Sequence, residues 1–161
     1  MKQEELHLRP AVIEDMDLLY KWRNEEICRK NSINKEYITY DNHCKWYIQK
    51  LNSKNCIIFI CIKNDGSVCL PIGQARIDYE KHEIGKISYS IDAGYRCNGY
   101  GTRILKLLEY NKDVLNNISK LCAVVEKNNI ASQKCFENLK YLKNIKDGMF
   151  YYTKNLVNKI N

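Results

Sequence analysis

Hydrophobic positions change their spacing several times along the chain, and each change marks an element. Leu6 to Arg9 reads as a short first strand. From Asp15 to about Asn24 the period becomes helical: Met16, Leu19, Tyr20 and Arg23 share one spacing, with Asp15 placed to cap the start. Asp41 is placed to cap a second helix, whose apolar stripe is Cys44, Tyr47, Ile48 and Leu51. Cys56 to Lys63 is β-rich, and Asn64-Asp65-Gly66-Ser67 is a hairpin turn signal. Val68 to Asp78 returns as the next strand, with a break expected near Pro71, and Gly85 to Asp92 is another strand. A helix follows from about Gly99 to Asn111, carrying Ile104, Leu105, Leu107 and Leu108. Leu121 to Glu126 is a strand, Ile130 to Leu139 a helix, and Met149 to Thr153 a last strand.

The predicted order is β-α-α-β-β-β-α-β-α-β. Hairpin strands come first and a strand-helix-strand crossover follows. That mixture predicts an α/β (α+β) protein with a central mixed, mostly antiparallel sheet and helices on both faces. No repeat, linker or low-complexity tract interrupts the 161 residues, and the two prolines, Pro10 and Pro71, mark no boundary. One domain over residues 1–161 is expected.

Composition narrows the function classes. Hydrophobic residues make 45% and charged residues 28%, a soluble globular balance. The longest strongly apolar run, Cys56 to Ile62, is too short to cross a bilayer, and the start, Met1-Lys2-Gln3-Glu4-Glu5, is polar with no apolar signal segment after it. A cytoplasmic location with no membrane partner is expected. The eight cysteines, Cys28, Cys44, Cys56, Cys61, Cys69, Cys97, Cys122 and Cys135, contain no C-x-x-C pair. They read as reduced thiols in the core, without a metal site. The net charge of +7 is spread along the chain with no basic tract; a nucleic acid, a phosphate-bearing cofactor or substrate and a merely soluble surface each account for it, and charge alone does not choose between them. Neither a nucleic-acid partner nor a metal is expected.

The most informative stretch is Arg96-Cys97-Asn98-Gly99-Tyr100-Gly101, an R-x-x-G-x-G between a predicted strand and a predicted helix. Glycine at 99 and 101 lets backbone approach a ligand. The first N–H groups of the helix have no partner in the helix, and with its dipole they form a cradle for a pyrophosphate. Arg96 can add a charge-assisted bond. The stretch is neither a dinucleotide fingerprint nor a P-loop.

Ser88 through Thr102 resembles the central segment of GNAT acetyltransferases. Val124-Val125-Glu126, Asn129-Ile130-Ala131-Ser132 and Cys135-Phe136-Glu137-Asn138 resemble the superfamily's next strand and helix. The resemblance implies an acetyl-CoA-dependent N-acetyltransferase with the GNAT fold. Arg96, Cys97, Asn98, Gly99, Tyr100, Gly101 and Thr102 would hold the pyrophosphate. Ser90, Ile91 and Asp92 would pair with the pantetheine arm in a gap where that strand splays from the next. Asn129, Ser132 and Phe136 would line the far side.

Trp22-Arg23-Asn24, Arg29, Ser32, Ile38, His43 and Trp46 follow a W-R-N, R, S, I, H-x-x-W arrangement. It resembles the branch that acetylates nucleotide-linked amino-sugars in pseudaminic acid (flagellin glycan) biosynthesis. The implied acceptor is a UDP-linked amino-sugar held by Arg23, Asn24, Arg29, Ser32, His43 and Trp46. Arg29 can pair bidentately with a phosphate, and Trp46 offers a flat face. A protein N-terminus, a polyamine or an aminoglycoside is the alternative acceptor, and a non-catalytic CoA-binding module is the alternative from another class. A homodimer is compatible with the sequence.

Acid and base do not transfer from the family. Lys86 stands where many members have a glutamate base, Phe136 where many have a tyrosine acid, and Lys140-Tyr141 where Gly-Phe is usual. His43, Glu83 and Ser88 are the candidate bases, and the Ile91 N–H is the natural oxyanion donor.

Overall fold

The structure, a computed structural model, describes residues 4–116 and 118–156. Part of the polar start, Met1 to Gln3, lies outside the described residues. The described strands form one seven-stranded sheet in the order β1-β2-β3-β4-β5-β7-β6. They are β1 (Glu5–Pro10), β2 (Cys56–Asn64), β3 (Cys69–Glu80), β4 (Ile84–Ile91), β5 (Lys120–Val125), β6 (Leu142–Lys146) and β7 (Met149–Asn155). Every neighbouring pair is antiparallel except β4 with β5, so the sheet is mixed and mostly antiparallel.

The helices are α1 (Met16–Asn24), α2 (Glu26–Lys30), α3 (Tyr40–Leu51), α4 (Tyr100–Glu109), α5 (Lys112–Leu115) and α6 (Ile130–Asn138). Two clusters of buried side chains divide them between the faces. Leu19, Trp22 and Tyr47 of α1 and α3 pack on Ile58, Ile60 and Ile62 of β2. Ile104, Leu105 and Leu108 of α4 and Phe136 of α6 pack with Phe59, Ala75, Ile77 and Ile87 on the opposite side. Strand alternation explains this: odd and even positions of β2 serve different layers.

Several local expectations shift. The second helix begins at Tyr40, because Thr39 caps it by accepting from the Asn42 N–H, and Asp41 lies inside the first turn. Its buried face is His43 and Tyr47, while Ile48 is exposed. Asp15 makes no side-chain cap to α1; its carboxylate takes the Val12 N–H and the Arg9 guanidinium instead. Pro71 does not break its strand: β3 continues through a register shift opposite Cys61 and Ile62. Of the eight free cysteines only Cys61 is fully buried, and Cys69 and Cys97 are exposed, so most are not core residues. No helix among the described residues is long and apolar enough to cross a membrane.

Candidate functional site

β4 and β5 pair at Ile84–Lys120, Gly85–Leu121 and Lys86–Cys122, and then separate while β4 continues to Ile91. The orientation of the β4 backbone beyond the split follows from one bond. The Asp92 N–H donates to the Ile72 carbonyl at 2.8 Å, which points the even positions of this stretch at β3. By antiparallel alternation the backbone groups of Ile91 and Tyr89 then face the gap. The Ile91 N–H is therefore open to a ligand in the split, whereas the Ser90 and Asp92 N–H groups are turned to β3. Of the three residues expected to pair with pantetheine, Ile91 has the right orientation.

The loop after β4 is built by its own side chains. Asp92 accepts from the Gly94 N–H at 2.9 Å and from Trp22 Nε1–H at 2.7 Å, joining the loop to α1. The Asn98 side-chain NH2 is engaged within the loop: it donates to the carbonyls of Tyr95 and Arg96. Arg96 Nε donates to the Ile91 carbonyl at 3.1 Å, and Nη2 pairs with Glu25 at 2.6 Å. The guanidinium expected on a pyrophosphate is thus held by a carboxylate, and it fixes the loop. Arg96 holds the Glu25 carboxyl at about 2, well below the usual carboxylate range, and the Ile27 and Cys28 N–H groups at the start of α2 add to the effect.

Gly99 caps α4 in the left-handed region, at φ 76°, and Cys97 before it also has positive φ. Among the described residues the N–H groups of Tyr100, Gly101 and Thr102 have no acceptor. They open α4 with its positive dipole end, which fits a pyrophosphate. Gly101 serves packing: a Cβ there would lie 2.9 Å from Cys135 Sγ and 3.4 Å from Tyr89 Cε2. The Tyr100 side chain is buried, and its hydroxyl donates to Glu4.

Across the gap, Asn129 caps α6 by accepting from the Ser132 N–H, and the Tyr89 hydroxyl donates to Ser132 Oγ at 3.2 Å. Phe136 lies 1% exposed among Tyr152, Tyr141 and Tyr89, so its ring belongs to the core and not to a cofactor surface.

On the α1–α3 side of the sheet lies a cavity of about 200 Å³ with Ser90 in its lining. Leu19, Trp22 and Arg23 of α1 form one wall, His43 and Trp46 of α3 another, and Gln74 and Arg76 of β3 the floor, with Cys28 and Ile38 at the side. Of the expected acceptor residues, Arg23, His43 and Trp46 line it. Asn24, Arg29 and Ser32 brace it from behind. Asn24 bonds both backbone groups of Ile38, Arg29 Nε donates to the Asn24 carbonyl and stacks over Tyr37, and Ser32 donates to the Cys28 carbonyl.

His43 Nε2 lies 3.0 Å from the Met16 carbonyl, which makes it the protonated nitrogen of the neutral ring. Burial lowers its pKa, leaving Nδ1 as the nitrogen that can accept. Ser88 is on the same sheet face, with Oγ 3.4 Å from an Arg76 nitrogen, but does not line the cavity. Glu83 is misplaced for a base. It sits in the exposed β3–β4 turn, and the eight positions to Ile91 span about 26 Å at strand rise. Gln74 and Arg76 were not among the expected residues. Their signal was the polar alternation Gln74-Arg76-Asp78 in a strand predicted to be covered on both faces. Among the described residues no group of three His, Cys, Asp or Glu side chains could hold a metal.

One prediction follows from the loop. Gly99→Val has space for its side chain but imposes left-handed backbone on a β-branched residue. The strain would distort the candidate cradle. At about 0.3–1 kcal/mol for each of several contacts, CoA affinity should fall about tenfold or more. Calorimetric titration checks this, and unchanged affinity in a folded variant would remove the cradle from the cofactor site.

The chain is similar to several solved structures. A domain from Methanocaldococcus jannaschii superposes with a TM-score of 0.83 at 22% identity, over 96% of this chain and 100% of that one. A spermidine N-acetyltransferase from Vibrio cholerae, in complex with CoA and spermine, gives 0.80 at 14% identity over 94% and 95%. An aminoglycoside acetyltransferase in complex with coenzyme A gives 0.75 at 17% identity over 94% and 95%. At these identities the likeness is one of fold. No curated protein sequence matches the chain significantly. The model of the acetyltransferase (GNAT) domain matches residues 5–141, most of the chain. The chain therefore belongs to the GNAT acetyltransferase family and is an acetyl-CoA-dependent N-acetyltransferase.

Proposed function

We propose that this enzyme acetylates the amine of a small molecule held in the cavity between α1, α3 and the β3–β4 floor. The observation that carries this reading is the meeting of two places at one strand end. Ser90 lines the cavity, and the N–H of the next residue, Ile91, faces the β4–β5 gap. A thioester lying in the gap, with its pyrophosphate on the Tyr100–Thr102 N–H groups, would present its carbonyl beside the cavity.

The amine nitrogen then attacks the carbonyl carbon, and the Ile91 N–H donates to the oxygen as it gains charge. The carbon–sulfur bond breaks and CoA leaves through sulfur. Of the three candidate bases, His43 lines the cavity and is neutral, so it is the one assigned to take the amine proton, directly or through water. Ser90, Asp92, Cys97 and Asn98 support the loop and strand around the cofactor, and Asn129 and Ser132 the opposite wall.

The expected anchor of a nucleotide-linked amino-sugar, Arg29, does not line the cavity; its Nε donates to the Asn24 carbonyl and its guanidinium lies over Tyr37. A cavity of about 200 Å³ is also smaller than the roughly 300–1,000 Å³ typical of sites for larger ligands. The two named relatives take a polyamine and an aminoglycoside, both small-molecule amines. The test is chromatographic measurement of CoA released from acetyl-CoA with small amines, a UDP-amino-sugar and a peptide. Amine-dependent release with an acetylated small molecule is expected. Turnover of the peptide alone would sink this reading.

A further inference from the structure

We infer that the acceptor amine also carries an anionic group, a carboxylate or a phosphate, received by Arg23 and Arg76. This rests on acetyl transfer in the cavity just described and names its substrate class.

The cavity wall holds two guanidinium groups, and no acidic residue lines it. Arg23 reaches it from α1. Its Nη2 donates to the Asn34 carbonyl at 2.8 Å, while Nη1 is sealed from solvent without any acceptor. Among the described residues no carboxylate pairs with Arg23. Burial disfavours its charge, Cys28 offsets part of that, and Arg29 and Arg76 nearby disfavour it further.

Arg76 has a carboxylate but shares it. Asp78 accepts from Arg76 Nε at 2.7 Å and from Lys50 at 2.6 Å, one anion for two cations. Other carboxylates are already engaged: Glu25 pairs with Arg96, and Asp92 holds Trp22 and the Gly94 N–H. The floor and α1 wall of the cavity thus carry uncompensated positive charge.

An unbalanced, half-buried cation costs stability unless something supplies the counter-charge. A ligand anion does so here, and Trp46, stacked with Arg76 at 5.3 Å, offers an apolar face to the ligand body. The same cations act on the reacting end. A neighbouring positive charge disfavours ammonium, so the bound amine is held more readily in its nucleophilic neutral form. Polycations such as spermine would bring like charge to like charge.

The experiment assays the full chain with acetyl-CoA and three sets of amines: carboxylate-bearing, phosphate-bearing and polycationic. Each anionic amine is paired with its uncharged ester or amide. In the wild type, kcat/KM for the anionic form should exceed that of its neutral pair by about tenfold to a hundredfold, the range for a hydrogen bond to a charged group. In Arg23→Gln that ratio should collapse, and in Arg23→Lys it should recover in part. A general loosening of the wall would lower both members of a pair and leave the ratio intact. The first two sets distinguish carboxylate from phosphate as the preferred anion. Efficient polycation turnover with inert anionic amines overturns the inference and leaves small-amine acetylation standing. Absence of turnover in all three sets removes both.

Discussion

Truncating Phe136 to alanine is expected to lower the unfolding free energy by about 3–5 kcal/mol, the usual cost of deleting a buried aromatic ring. The ring is 1% exposed. It stacks on Tyr152 of β7 with centroids 5.2 Å apart, and meets Tyr141 and Tyr89 edge-on at 5.0 and 6.1 Å. Such aromatic pairs add to simple area burial. One side chain of α6 therefore joins strands on both sides of the β4–β5 gap, and its loss leaves a space that only movement of the helix can fill. Urea unfolding with an unchanged slope reads the effect. A loss below about 1 kcal/mol would show that the ring is not a packed core residue.

The same residue shows what could be read from the chain and what could not. Family resemblance put Phe136 beside the cofactor, because that helix lines the gap. Which face of the helix a residue occupies depends on packing, and here one partner, Tyr152, lies outside the matched segment. Periodicity located the long elements well: β2, β4, α4 and α6 lie within a few residues of their expected places. It overlooked β6, an edge strand exposed at every position, where no burial imposes alternation. A turn signal was nevertheless present: Asp147 and Gly148 both have positive φ, as an Asp-Gly hairpin requires. It also overlooked α2, five residues held by the Glu25 side chain. Short helices draw on caps and tertiary contacts more than on pattern.

The site was half legible for a related reason. The glycine loop is local, so its residues stand together in the chain and could be named from it, although the partners of Arg96 and Asn98 could not. The proposed acceptor cavity is not local: Arg23 and Arg76 are brought together by the sheet, and Arg29 was expected there from the W-R-N, R, S, I, H-x-x-W resemblance. Packing turned Arg29 toward Tyr37 and brought Arg76 in from β3.

Replacing Ile91 with proline is expected to lower kcat by about 10²–10³, the cost of removing one oxyanion donor. The substitution deletes the N–H assigned to the thioester oxygen and the packed Ile91 side chain. That N–H faces the gap, so no bond of the β3–β4 ladder is lost, and proline is tolerated where the strand donates to no neighbour. The Asp92 N–H still reaches Ile72, and the Ile91 carbonyl still accepts from Arg96. The Ile91 side chain packs against the α4–α6 core, so its removal has a separate cost, which Ile91→Val controls while keeping the N–H. Both variants should bind CoA nearly as the wild type does, because the proposed pyrophosphate contacts lie at Tyr100 to Thr102. Valine should keep kcat within a few-fold and proline should not. If the folded proline variant turns over at the valine rate, the oxyanion donor lies elsewhere.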